Sequence, residues 1–117
     1  AFGISGHERS CRRAAVPALL VTRGEYKGPT EDLTPGPQND GVNISRMLQK
    51  AYGSGQVAIT VKDKDGVTTK EGIRKQIQSA FADAAEDDIN YFYYSGHGQE
   101  DGLSLESKTS LYRAGTV

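Results

Sequence analysis

The stretch Ile89-Asn90-Tyr91-Phe92-Tyr93-Tyr94-Ser95-Gly96-His97-Gly98 decides how this chain folds. Its aromatic and β-branched first half suits a buried, pleated strand. The run breaks at once into Ser-Gly-His-Gly, where Gly96 and Gly98 free the backbone on both sides of one imidazole. Open α/β sheets keep their ligands outside the carboxyl ends of their strands. A strand that delivers a histidine at that end marks His97 as the first candidate functional residue. The plainer reading is a turn histidine with no role, and the strand and flanking glycines weigh against it.

The segments upstream supply the rest of an α/β unit. Ala18-Leu19-Leu20-Val21-Thr22 is a continuous apolar run after Pro17, as in a parallel strand buried on both faces. Residues 23–39 read as a loop, punctuated by Gly24, Gly28-Pro29 and Thr34-Pro35-Gly36-Pro37. A connection of that length is characteristically functional. A helix is predicted from Asp40, with Asn39 or Asp40 as its cap, Ile44, Met47, Leu48 and Ala51 on one face, and Gly53 as its stop. Val57, Ile59 and Val61 alternate as in a strand with one better-buried face. Lys62-Asp63-Lys64-Asp65-Gly66 has the look of a calcium loop. With Gly66 at the sixth place, however, Val61 and Gly72 would fall at the first and twelfth, so the segment is a turn. Thr68 and Glu71 have capping-box spacing, and Ile73, Ile77, Ala80, Phe81 and Ala84 carry a helix to about Ala85. Glu86-Asp87-Asp88 reads as a solvated loop, and Leu103 and Leu105 as a marginal strand in a polar tail.

Strand, helix, strand, helix, strand with right-handed crossovers gives a parallel sheet in the order 2-1-3. The switch point then lies between the Ala18 and Tyr91 strands. The long loop with Asp40 and the Ser95–Gly98 turn reach the same crevice.

Composition narrows the function. The 117 residues suit one domain, read as an arm over 1–14 and a domain over 15–117. Fourteen Lys and Arg stand against fifteen Asp and Glu, which argues against a nucleic-acid partner. No apolar run approaches the roughly 20 residues of a membrane span, so no membrane partner is expected. The compartment stays open between cytoplasmic and secreted. One cysteine, Cys11, excludes an internal disulfide. His7 and Cys11 share a spacing of four but are too few for a metal site.

An imidazole, with an ordinary pKa of about 6.5, suits proton transfer near neutrality. It needs a nucleophile, and no G-x-S-x-G elbow is present. A strand of aromatics ending in Ser95-Gly96-His97-Gly98 resembles the histidine motif of caspase-like cysteine peptidases: caspases, metacaspases and the clostripain group. Gly36-Pro37-Gln38-Asn39-Asp40-Gly41, followed by Ser45-Arg46-Met47-Leu48, is similar to the metacaspase stretch that runs Gly-Cys-x-Asn-Asp-Ala into a helix. The likeness covers roughly residues 15 to 100, and Ser-Gly-His-Gly is its most specific part.

The resemblance implies a three-layer α/β/α sandwich with a mostly parallel sheet, of which this chain is the N-terminal part, the large subunit. It implies that His97 is the catalytic histidine, paired with a thiolate, and that the N–H of Gly98 binds the oxyanion. It also implies that Asp40 and Ser95 line the pocket for the residue before the cut, where a carboxylate selects Arg or Lys. For Asp40 a plain helix cap is the other reading, and for Ser95 a small residue that fills the strand end.

The departures are informative. Pro37 stands where metacaspases often carry cysteine. The catalytic cysteine, which in caspases follows the histidine by about 50 residues, is missing from the twenty that follow His97. The expectation is a processed endopeptidase, a hydrolase whose second chain, a small subunit, brings the cysteine and further strands. Lys108 and Arg113 are candidate self-cleavage points. No cofactor is expected; calcium activation is common in these relatives, yet no calcium site is legible. Thr34 occupies the place of the specificity arginine of true caspases, and Arg23 is the only nearby cation at a strand end, which favours basic over acidic substrates. Aspartate-specific cleavage, a non-catalytic regulatory or scaffold module, and a flavodoxin-like phosphate binder are the alternatives. The last lacks a glycine-rich phosphate loop after the Ala18 strand.

Overall fold

The fold is that of a computed structural model, which describes residues 15–99, 102–105 and 111–113. The expected arm over 1–14, with His7 and Cys11, and the candidate cleavage point Lys108 lie outside the described residues.

The first strand, β1 (Val16–Thr22), is buried at every position. It is the centre of a parallel sheet in the order β2-β1-β3, between β2 (Val57–Lys62) and β3 (Tyr91–Ser95). Helix α1 (Gly36–Tyr52) crosses to β2, and helix α2 (Lys70–Ala80) crosses to β3. Alternation along β1 sorts its side chains onto two faces. Ala18 and Leu20 pack with Leu48 of α1, while Leu19 and Val21 pack with Val67, Leu105 and Ile73 of α2. This is the expected three-layer arrangement of helix, sheet and helix. Pro17 lies ahead of the pairing to β3, which begins at Ala18, so on that side it stands at an open edge of the sheet, where proline is tolerated.

Helix α1 begins four residues earlier than the polar caps suggested. Pro35 occupies the cap position with no side-chain hydrogen bond, Pro37 is buried in the first turn, and Asp40 lies inside the helix. Proline is pre-shaped for a first turn, so the Pro-Gly-Pro segment opens the helix that it seemed to forbid. The buried face also differs from the expected one. It runs through Pro37, Gly41 and Leu48, with Ile44 and Tyr52 packed beside them, whereas Met47 is 45% exposed. Gly53 ends the helix at φ +88, donating its N–H to Gln49 O. Leu48→Ala is expected to cost about 2–5 kcal/mol, and Met47→Ala to stay within about 0.5 kcal/mol. Urea unfolding separates the two, and equal costs would return Met47 to the core.

Helix α2 is capped by Thr69, whose hydroxyl accepts from Gly72 N at 3.0 Å, not by Thr68 and Glu71. It stops at Ala80. Phe81 is half-buried against the Leu19 cluster, and short turns replace the helix beyond it. In the acidic loop, Asp88 is half-buried. Its carboxylate accepts from Ala15 N and Ala85 N, each at 2.9 Å, which ties the loop to the entrance of β1.

Two further findings bear on the site. Strand β3 is less buried than its aromatics suggested: Phe92 is 39% exposed. The polar tail contains a second, antiparallel sheet of β4 (Gly98–Gln99), β5 (Gly102–Ser104) and β6 (Leu111–Arg113). Arg113, the other candidate cleavage point, pairs with Gly102 in that sheet. No helix among the described residues is long and apolar enough to cross a membrane.

Candidate active site

The carboxyl ends of β1 and β3 are bound together past their last paired residues. Arg23 N donates to Ser95 O at 2.8 Å, extending the ladder into both loops. Ser95 points to the α1 face, and its Oγ donates to Asp40 Oδ2 at 2.7 Å. The sheet register aligns Ser95 with Thr22, and Gly41 lets α1 approach: a Cβ there would meet Thr22 Cγ2 at 2.9 Å. The two residues expected to share a substrate pocket are thus joined. The cap reading of Asp40 is overturned, because its carboxylate lies inside the helix and turns to Ser95.

A cleft of about 330 Å³ lies between the ends of β1 and β2 and the first turns of α1, walled partly by Val42 and Val61; Asp40, turned to Ser95 on β3, does not line it. Thr22 Oγ1 and Gln38 Oε1 at its border are buried without a hydrogen-bond partner among the described residues. Ser45 and Asp63 add further acceptors to the lining.

His97 follows Ser95 on the turn and is half-buried. Its Nε2 lies 2.7 Å from Glu31 O in the β1–α1 loop. A carbonyl can only accept, so in the neutral ring this bond puts the proton on Nε2 and leaves the lone pair on Nδ1. The ring of Tyr26 meets the imidazole edge-on, with centroids 4.6 Å apart. The loop that carries Tyr26 and Glu31 is closed on itself: Leu33 N donates to Gly24 O at 2.7 Å and Tyr26 N to Asp32 Oδ1 at 2.8 Å.

The glycines on either side of His97 differ. A Cβ on Gly96 would sit 2.6 Å from Tyr26 Oη, 2.6 Å from Tyr94 Oη and 3.0 Å from Arg23 O. Gly96→Ala is expected to cost about 1–3 kcal/mol through overpacking, read as a lower midpoint of thermal unfolding. An unchanged midpoint would show that both phenols move aside freely. Gly98 is exposed, and a Cβ there would meet only Gly102 O, at 3.7 Å, an ordinary contact.

Arg23 is 2% exposed, and each of its three guanidinium nitrogens donates a hydrogen bond. Nε donates to Leu105 O at 2.6 Å, Nη2 to Glu25 O at 2.9 Å, and Nη1 to Asp63 O. It also lies 5.5 Å from the centre of the Tyr26 ring. One buried side chain therefore fastens the β1–α1 loop to the end of β2 and to the small sheet. The Tyr94 phenol has its pKa raised, first by burial and next by its hydrogen bond to Tyr26, so it stays neutral.

His97, Ser95, Asp40 and Gly98, all expected from sequence, lie at one end of the sheet. Tyr26, Tyr94 and Glu31 were not anticipated there. Glu31 takes part through its main chain, which carries no residue signature, while Tyr26 was visible as an isolated aromatic in a polar loop.

A family model describing the caspase domain, peptidase family C14, matches residues 16–114. Neither a curated protein nor a solved structure gives a significant match.

Proposed function

This chain belongs to the caspase-domain family of cysteine peptidases, and on that footing we propose that it is the histidine-bearing part of an endopeptidase that cleaves after Arg or Lys. The observation that carries the reading is the Ser95–Asp40 hydrogen bond of 2.7 Å, which presents a carboxylate two residues from His97 on one turn.

In this reading the nucleophile is a cysteine thiol supplied by polypeptide beyond these 117 residues, on a second chain or a cleaved C-terminal part. Nδ1 of His97 takes the thiol proton, and the Glu31 carbonyl keeps Nε2–H and the ring plane fixed meanwhile. The thiolate adds to the scissile carbonyl. The oxyanion that forms is held by the N–H of Gly98, where the ease of adding a Cβ within the chain supports a glycine kept for the approach of substrate. The imidazolium then protonates the leaving amine, and water releases the acyl group from sulfur by the reverse sequence.

Basic specificity follows from charge. Asp40 keeps Oδ1 and spare lone pairs after accepting from Ser95, enough for a guanidinium or ammonium group. Aspartate specificity would need a free cation, yet Arg23 is buried and committed to three carbonyls, and Thr34 stands where true caspases hold arginine. A non-catalytic regulatory module differs only in lacking the thiol. Turnover of matched peptidyl-Arg and peptidyl-Asp amides tests the assignment in the native protein. Cleavage of the Arg amide alone is expected, and cleavage of the Asp amide alone would contradict it.

A further inference from the structure

Both main-chain polar atoms of His97 are taken by phenols. His97 N donates to Tyr26 Oη at 2.7 Å, and Tyr94 Oη donates to His97 O at 2.8 Å. The two hydroxyls lie 3.3 Å apart, and Tyr94 Oη also lies 2.7 Å from Ser104 O. Each phenol has one proton, which sets the direction of the chain. Tyr94 has two carbonyls as neighbours, His97 O and Ser104 O, so its one proton is directed to and shared between them. Tyr26 must then donate to Tyr94 Oη while it accepts from His97 N. The chain runs one way, from the His97 amide through Tyr26 and Tyr94 to the carbonyls of His97 and Ser104.

From this geometry we infer that Tyr26 is a positioning residue for His97. Its hydroxyl fixes the histidine main chain, its ring edge fixes the imidazole plane, and its loop brings the Glu31 carbonyl to Nε2. The three contacts come from one loop, so the imidazole orientation depends on how that loop closes. Gly96 is the complementary half of the device, because only a missing side chain lets both phenols reach the turn. The buried Arg23 guanidinium lies over the Tyr26 ring, 5.5 Å from its centre, and so ties the ring to the core. Burial keeps Tyr94 protonated, which preserves the direction of the chain. Tyr26 touches neither substrate nor nucleophile in this account; it acts through His97. The effect on turnover rests on the peptidase reading above, whereas the effect on the imidazole does not.

The test is Tyr26→Phe in the native, thiol-containing protein, which keeps the ring and removes the hydroxyl. Expected are a fall in kcat of about tenfold or more with KM unchanged within about twofold, as for a misplaced catalytic group. Nitrogen-15 spectra of the imidazole, expected to show the Nε2–H form in the parent protein, should move towards a mixture of tautomers in the variant. An unmoved imidazole spectrum overturns the inference, and so does parental kcat in Tyr26→Phe when His97→Ala abolishes turnover. His97→Ala run in parallel separates the two readings. If that variant keeps full turnover, the peptidase role of His97 falls, and a moved spectrum in Tyr26→Phe still upholds the clamp.

Discussion

Alanine at position 97 is expected to lower kcat/KM for a peptidyl-Arg amide by about 10²–10⁴-fold, the range of a lost general base. The fold is expected to survive the change. The hydrogen bonds that His97 N and His97 O make to Tyr26 and Tyr94 belong to the main chain and are kept. What is lost is the edge-on contact with Tyr26, about 0.5–1.5 kcal/mol beyond area burial, and the Glu31 carbonyl, which turns to water at the rim. A large kinetic loss with a small fall in thermal midpoint is therefore the signature of a chemical role. The opposite pattern, an unfolded protein, would make His97 a structural tie. Unchanged turnover would remove it from the chemistry.

Asparagine at position 40 is the sharper probe of specificity. Asp40→Asn keeps an oxygen for Ser95 Oγ and removes only the charge. Hydrogen bonds to a charged group contribute about 1.5–3 kcal/mol, so kcat/KM for an Arg substrate should drop by about 10- to 100-fold. The preference for Arg over Leu at the cleaved bond narrows by the same factor, because a neutral side chain never used the carboxylate. Ser95→Ala should give a smaller change in the same direction, since the hydroxyl orients Asp40 and carries no charge itself. A preference that survives Asp40→Asn would move the specificity pocket elsewhere.

Sequence carried the sheet because its signals there are local. Five of the seven buried residues of β1, Ala18 to Thr22, read as one apolar run, and the order of elements with right-handed crossovers sufficed for the strand order. Ser-Gly-His-Gly was legible for the same reason: strand, glycine and histidine are contiguous. The start of α1 was not, because proline and glycine mark both loops and first turns, and only the burial of Pro37 decides between them. The face of α1 was misread at Met47, since a methionine at the right spacing can lie half in solvent beside a buried Leu48. Of the small sheet only β5 left a trace, in the alternation of Leu103 and Leu105; β4 and β6 are too short for any periodicity to show. Hardest of all were the supports of His97. Tyr26 lies 71 residues away from it and Glu31 lies 66 away, and such pairs leave no mark in either local segment.

In the proposed mechanism His97 works with a sulfur that none of these 117 residues provides. The most direct measurement is adduct mapping: the native protein is treated with a peptidyl-Arg acyloxymethyl ketone, and the labelled peptide is located by mass spectrometry. The account predicts one adduct, on a cysteine outside residues 1–117, lost in His97→Ala and weakened in Asp40→Asn. An adduct on Cys11, or a protein that cleaves Arg amides while no cysteine is labelled, would contradict it.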